Sequence, residues 1–107
     1  MSGEFHAVAS VADVKPDSVV QVRAGNATIA LFNLGGEFYA IDGICSHGAA
    51  QLADGYIEGE LIECPQHAGS FDIKTGKAVG IPCVVDLKSY PVKVEDGRIL
   101  IELDSTA

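Results

Sequence analysis

Pairs of turn residues at short intervals along the 107-residue chain constrain its fold more than any other feature. Gly25-Asn26, Gly35-Gly36 and Asp96-Gly97 are dipeptides that tolerate positive φ angles and favour tight hairpin turns. The runs between such turns are short and rich in β-branched and aromatic residues, and no long segment has apolar residues at helical spacing. The sequence therefore predicts an all-β protein made of short antiparallel strands.

The turn signals divide these runs into three groups of strands. We expect strands at residues 19–23, 27–34, 37–42, 56–57, 61–64, 70–73, 77–79, 90–94 and 98–103. The first three form a meander, the last two form a hairpin that closes the domain, and the four shorter ones carry the candidate site. A single helical turn is predicted at 11–14, because Pro16 stops anything longer.

Length and charge limit the functional classes open to this chain. A domain of this size has room for one modest core and no second, catalytic domain. Without an apolar run of about 20 residues or a basic leader segment, we expect a soluble cytoplasmic protein. A net charge of −8 argues against nucleic acid and anionic membranes as partners. A basic protein surface suits it better, although acidity that only keeps a small protein soluble explains the charge equally well.

Two short arms form the candidate metal site. Cys45-Ser46-His47 and Cys64-Pro65-Gln66-His67 each combine a thiol with an imidazole, and 16 residues separate them. Three cysteines cannot all pair within one chain, so metal binding is a better expectation than a disulfide framework. Small residues after each arm permit tight turns, and two such arms can close around one metal centre.

The spacing Cys-x-His, 16 residues, Cys-x2-His resembles that of the Rieske iron-sulfur family. The Cys-Pro-x-His sequence, the Ser70-Phe71-Asp72 and Thr75-Gly76 that follow it, and the strand pattern extend the resemblance over essentially the whole chain. Its size makes the chain most similar to the free-standing ferredoxins of multicomponent aromatic-ring dioxygenases. The resemblance implies a Rieske fold for residues 1–107 as one domain, with an antiparallel β-sandwich or barrel scaffold and a small cluster-binding subdomain at about residues 43–83.

The resemblance also implies the cofactor and the ligands. Cys45 and Cys64 would hold one iron of a 2Fe-2S cluster, and His47 and His67 would hold the other. Two ferric ions, two sulfides and two thiolates sum to zero charge, whereas four thiolates would leave the oxidised cluster at about minus two. Histidine ligation therefore favours reduction, and the two imidazoles are the expected exit for the electron.

The implied function is electron transfer without catalytic residues. A flavoprotein reductase that uses NADH or NADPH would be the donor, and the Rieske cluster of a terminal oxygenase would be the acceptor. The carrier itself is expected to be a monomer and not an enzyme.

High-potential members of the family differ from this sequence at four positions. Ala50 and Gln66 stand where those proteins carry an extra cysteine pair, and Gly69 and Phe71 stand where they carry serine and tyrosine. Because hydroxyl donors to the cluster sulfurs stabilise the reduced state, their absence predicts a potential near the low end of about −150 to +300 mV.

Several other residues have predicted roles that do not involve binding the cluster. The acidic residues Asp54, Glu58, Glu60 and Glu63 would steer basic partners, unless they are simply solvated turn residues. An uncharged docking patch is predicted from Ala49, Ala50, Ala68, Ile81 and Pro82, and the loop containing Pro82 would cover the cluster. Cys83 is expected to be a small buried hydrophobe, and His6 an ordinary histidine of an N-terminal strand.

Two alternatives remain open from the sequence. One is a small Rieske subunit of another oxidoreductase, of the nitrite-reductase type, which permanent association would distinguish. The other is a zinc-stabilised interaction module, which the mixed Cys-x-His arms disfavour because zinc arms normally read Cys-x2-4-Cys and His-x3-5-His.

Overall fold

A computed structural model describes residues 4–25, 27–44, 51–65, 70–79 and 86–103. The strands are β1 (Glu4–Ser10), β2 (Ser18–Ala24), β3 (Ala27–Leu34), β4 (Glu37–Asp42), β5 (Tyr56–Glu58), β6 (Leu61–Glu63), β7 (Ser70–Asp72), β8 (Ala78–Val79), β9 (Ser89–Tyr90), β10 (Val92–Glu95) and β11 (Arg98–Leu103). Short 3-10 helices lie at Val11–Asp13 and Leu52–Asp54. The prediction of an all-β fold is confirmed. Within the described ranges, no helix is long and apolar enough to cross a membrane.

The predicted meander is present, and Asn26 of its first expected turn lies outside the described residues. β2 pairs with β3 from Ser18↔Asn33 to Ala24↔Ala27, and β3 pairs with β4 from Ile29↔Asp42 to Leu34↔Glu37. Gly35 and Gly36 both have positive φ, at 62° and 99°, as a two-residue hairpin turn with the twist of its strands requires. The helical turn expected after β1 is the 3-10 helix Val11–Asp13, which ends before Pro16.

The predicted strand at 90–94 is wrong at one residue. Tyr90 belongs to β9, which pairs with β4 through Ala40↔Tyr90, whereas Val92 begins β10, which pairs with β11. Pro91 lies between them and lacks the N–H that a continuous ladder would need. The proline therefore marks the point where the chain passes from one sheet to another.

The described strands form three antiparallel sheets, with strand orders β1-β11-β10, β2-β3-β4-β9 and β5-β6-β7-β8. The meander sheet forms the middle layer, because β3 is buried on both faces. Ala30 and Phe32 face a core shared with the small β5–β8 sheet, while Ile29 and Leu31 face a core shared with β11. Side chains that alternate along one strand thus serve two separate cores.

The small sheet presents one apolar face to the meander. Ile57, Ile62, Phe71 and Ala78 lie side by side across its four strands and pack into the first core. The neighbouring row, Tyr56, Glu63, Ser70 and Val79, therefore lies on the opposite face. One predicted arm begins directly after β6 and lies in the sequence between β6 and β7, so this sheet holds the base of that arm.

Candidate metal centre

Cys64 is the predicted ligand that the structure describes, and Cys45, His47 and His67 lie outside the described residues. The chain reaches Cys64 immediately after β6, and this residue is only 1% exposed. It shares a core cluster with Leu52, Ile62 and Phe71. The thiol at this position is therefore shielded from bulk water by apolar side chains.

The second arm is closed at its base by the β6–β7 ladder. Glu63, which precedes Cys64, pairs with Ser70, and Ile62 pairs with Phe71. The chain therefore leaves the sheet at Glu63 and rejoins it at Ser70, at adjacent positions. This closure follows from the short apolar strands on either side of the arm, which the sequence pattern predicts.

The first arm is closed in a comparable way by Gly43 and Leu52. The N–H of Leu52 donates to the carbonyl oxygen of Gly43 at 2.9 Å, and Ile44 forms a bridge with Gln51. Gly43 also donates to the carbonyl of Thr28 at 2.9 Å, which places its backbone against β3. A Cβ on Gly43 would lie 3.0 Å from the backbone of Ile29, so a larger residue would push the start of the arm away from β3.

The bases of the two arms are in direct contact through Gly55 and Glu63. Gly55 follows the 3-10 helix that ends the first arm, and a Cβ at this position would overlap the carbonyl oxygen of Glu63. Leu52 is fully buried in the same cluster as Cys64. The described backbone therefore fits one centre held by two neighbouring arms, and thiolate with imidazole is a donor set that suits iron-sulfur clusters.

The residues that follow the predicted Pro82 segment, Asp86 and Leu87, lie beside the β7–β8 hairpin. The N–H of Ala78 donates to Oδ1 of Asp86 at 2.9 Å, and the N–H of Leu87 donates to the carbonyl of Gly76 at 2.7 Å. A Cβ on Gly76 would overlap the carbonyl oxygen of Leu87, and Gly76 has a φ of 80°. Glycine is thus required here both for its backbone conformation and for the close approach of residues 86–87.

Most of the residues with a predicted role other than binding the cluster lie outside the described residues. These are Ala49, Ala50, Gln66, Ala68, Gly69, Ile81, Pro82 and Cys83. Phe71 is described, and its side chain is fully buried in the cluster that contains Cys64. His6 lies in β1, opposite Ile101 of β11, in the sheet that packs on the other side of the meander.

The acidic residues named from the sequence lie on and beside the small sheet. Asp54, Glu58 and Glu60 are exposed and Glu63 is half-buried. Glu60 forms an ion pair with Lys74 at 3.2 Å, and its hydrogen bond raises the pKa of the Lys74 ammonium. Because this pair lies at the β6–β7 end remote from Cys64, it does not neutralise Asp54 or Glu63 beside the arms.

One stretch of the chain lacks basic residues and therefore carries most of the net negative charge. Residues 24–73 contain seven acidic residues and no lysine or arginine, although the whole chain has seven basic residues. This stretch includes both arms and the strands that support them. Sequence reasoning from net charge alone missed the asymmetry, which a count of basic residues along the chain reveals.

Residues 4–91 match the family described as the Rieske [2Fe-2S] domain. A naphthalene 1,2-dioxygenase/salicylate 5-hydroxylase ferredoxin component from a Ralstonia species is 46% identical over 92 residues, which cover 86% of this chain and 88% of that protein. The Sphingomonas yanoikuyae B1 ferredoxin superposes with a TM-score of 0.88 at 42% identity and covers 94% of this chain and 100% of its own.

A further solved structure is similar to this chain, a complex of reduced oxygenase and oxidised ferredoxin in carbazole 1,9a-dioxygenase. It matches with a TM-score of 0.85 and 35% identity, over 92% of both chains. These similarities confirm the predicted fold, the Rieske-type 2Fe-2S cofactor and the class of electron-transfer component. The chain belongs to the Rieske family, and within it to the ferredoxins that carry electrons rather than to the catalytic components.

Proposed function

We propose that this chain accepts single electrons from an NAD(P)H-dependent flavoprotein reductase and passes them to the Rieske cluster of a terminal ring-hydroxylating oxygenase. The observation that carries the proposal is its similarity, over 92% of its length, to a complex of oxygenase and ferredoxin in carbazole 1,9a-dioxygenase. The ferredoxin component from Ralstonia supports the same assignment. Because the proposed donor uses a nicotinamide nucleotide, we place this chain in the cytoplasm. The carrier acts as a monomer.

The proposed ligands are Cys45 and Cys64 for one iron and His47 and His67 for the other. Support comes from the spacing of the two arms, from the burial of Cys64, and from the contact between Gly55 and Glu63 that joins the arm bases. We assign residues 1–107 to one Rieske domain, whose cluster-binding part spans about residues 43–83.

A bound 2Fe-2S cluster supplies the one-electron oxidation and reduction. The chain's part is to keep its ligands in place and to control access of water and partners. Cys64 lies at the end of a paired strand within a dry core. Few mobile water molecules therefore need to reorganise when the charge of the centre changes. Phe71 offers no hydroxyl to the centre, which favours a potential near the low end of about −150 to +300 mV.

The net negative charge of residues 24–73 favours partners with a positively charged surface. Glu63 directly precedes Cys64 and Asp54 is exposed, and no basic residue within that stretch balances them. A reductase or oxygenase with lysine and arginine around its redox centre would be attracted toward the arms.

The test is spectroscopic, followed by kinetics. Purified protein is analysed for iron and zinc and examined by visible and low-temperature EPR spectroscopy before and after dithionite. About two irons per chain and a Rieske-type signal on reduction are expected. A colourless protein loaded with zinc would overturn the ligand assignment. Stopped-flow mixing should then show reduction by NADH with a flavoprotein reductase and reoxidation by an oxidised Rieske oxygenase, and a protein inert to both partners would overturn the proposed role.

A further inference from the structure

Residues 86–90 connect two parts of the structure that lead into the proposed arms. On one side, Asp86 and Leu87 are hydrogen-bonded to the β7–β8 hairpin, as described above. On the other side, the same segment is hydrogen-bonded to Asp42, the last residue of β4, which lies three positions before Cys45. The segment therefore bridges the strand before the first arm and the hairpin after the second.

Asp42 makes three hydrogen bonds to this segment. Its N–H donates to the carbonyl of Lys88 at 2.9 Å, and its Oδ2 accepts from the N–H of Lys88 at 3.1 Å. Its Oδ1 accepts from the hydroxyl of Tyr90 at 2.6 Å. Both carboxylate oxygens are thus used, and hydrogen bonds to an ionised acceptor are stronger than those between neutral groups.

Tyr90 is placed to keep its proton in this pair. The side chain is half-buried, and its burial, together with the hydrogen bond to Asp42 and the negative charge of that residue, raises the pKa of the phenol. The Lys88 ammonium lies 5.3 Å from the centre of the Tyr90 ring, on the same short segment. Tyr90 therefore remains a hydrogen-bond donor throughout the neutral range.

We propose that Asp42 is a positioning residue for the cluster, because it fixes the chain just before the first arm to residues 86–90. This inference rests on the proposed ligand set. Iron-sulfur potentials depend on the hydrogen bonds and the solvent exposure around the cluster. Both depend on how the surrounding loops are held at their ends. When the contacts of Asp42 are lost, the chain before the first arm and residues 86–90 are no longer held together, and the cluster environment becomes heterogeneous.

A second tyrosine–carboxylate hydrogen bond on β4 provides a matched control for a test of this proposal. At the opposite end of β4, the hydroxyl of Tyr39 donates to Oε1 of Glu37 at 2.7 Å. That pair adjoins the Gly35-Gly36 turn, at the end of β4 that does not lead into the first arm. Tyr90→Phe and Tyr39→Phe therefore remove the same kind of hydrogen bond from the two ends of one strand, and neither changes a carboxylate.

The experiment compares the wild-type holoprotein with both variants by three measurements. These are the EPR line widths after dithionite reduction, the midpoint potential, and the rate at which an iron chelator bleaches the cluster. Losing one hydrogen bond to a charged group should speed bleaching of Tyr90→Phe by about ten- to a hundredfold. Its EPR lines should broaden and its midpoint should move, while Tyr39→Phe should match the wild type in all three.

The outcomes separate this inference from the proposed function. A wild-type protein without a Rieske-type signal would refute the ligand set itself. If the wild type has the signal but Tyr90→Phe equals Tyr39→Phe in line width, midpoint and bleaching rate, the contact is only structural and the inference is overturned. Asp42→Asn provides a second variant should Tyr90→Phe fold poorly. Broadened lines and faster bleaching than in Tyr39→Phe support the positioning role, and unchanged values overturn it.

Discussion

Gly55 packs so closely on Glu63 that a Cβ at residue 55 would overlap the Glu63 carbonyl oxygen. This contact joins the end of the first arm to the strand that leads into Cys64. The backbone of Gly55 has φ −89° and ψ −163°, an extended conformation that other residues adopt, so close packing rather than backbone conformation requires glycine here.

Gly55→Ala should therefore destabilise the holoprotein through overlap alone. We expect a loss of about 1–3 kcal/mol in the free energy of unfolding, the usual cost of forcing extra atoms into a packed site. Urea denaturation followed by circular dichroism measures it. Gly36→Ala is the control, since a Cβ there meets nothing within 4 Å and its cost comes only from a positive φ. Chelator bleaching should separate the two variants, because only Gly55 joins the arms. Equal bleaching rates would contradict the proposed coupling.

Phe71→Tyr should raise the reduction potential, because the ring shares a core cluster with Cys64 and a hydroxyl could donate to the cluster sulfurs. Protein-film voltammetry measures the change. Phe32→Tyr is the matched control, since Phe32 is also fully buried in that cluster but lies on β3. It should lose about 1–3 kcal/mol of stability from a buried hydroxyl without a partner and keep its potential. No shift in Phe71→Tyr would mean that the hydroxyl does not reach a sulfur.

His67→Cys should lower the potential, since a third thiolate adds negative charge to the cluster. The expected direction is toward the value of about −400 mV that is typical of plant-type all-cysteine clusters. Voltammetry and the EPR spectrum of the reduced protein report the change together. Iron content shows first whether the cluster is retained. A retained cluster with an unchanged or higher potential would contradict the charge argument and the place of His67 among the ligands.

The Tyr90–Asp42 pair should stabilise the fold below about pH 10 and lose its contribution above that value. The pKa of Tyr90 is raised in the folded state, so the unfolded chain loses the phenolic proton first, near the ordinary value of about 10. Stability then falls as pH rises, because the unfolded state binds fewer protons than the native state. The advantage of the wild type over Tyr90→Phe in urea unfolding should be constant up to about pH 10 and shrink beyond it. An advantage that stays constant to higher pH would refute this assignment.

Local turn chemistry explains why so much of the fold could be predicted from the sequence. The hairpin at Gly35-Gly36 and the one at Asp96-Gly97 depend on neighbouring residues, and both occur as expected. The break at Pro91 depends on which sheet each side joins, which a run of alternating residues does not reveal. The strand was therefore predicted as continuous.

In the candidate site, too, the local features could be predicted from the sequence and the long-range contacts could not. The arms could be recognised because their spacing is a local property of the chain. The contacts that close them are not local: Asp42 meets a hydroxyl 48 residues away, and Gly55 meets a carbonyl on another strand. No short-range pattern distinguishes Asp42 from any other acidic residue at the end of a strand, so its contacts became visible only with the packing of β4 against β9.

The strand β3 has consequences for how this protein can change over evolution or in design. Even-numbered positions, such as Ala30 and Phe32, face the half that contains Cys64, and odd-numbered positions, such as Ile29 and Leu31, face the half built on β11. A substitution at an odd position of β3 changes packing in the core shared with β11, whereas a substitution at an even position changes packing in the core that contains Cys64. Substitutions that alter the stability of the supporting half can therefore occur on β3 without changing the surroundings of Cys64.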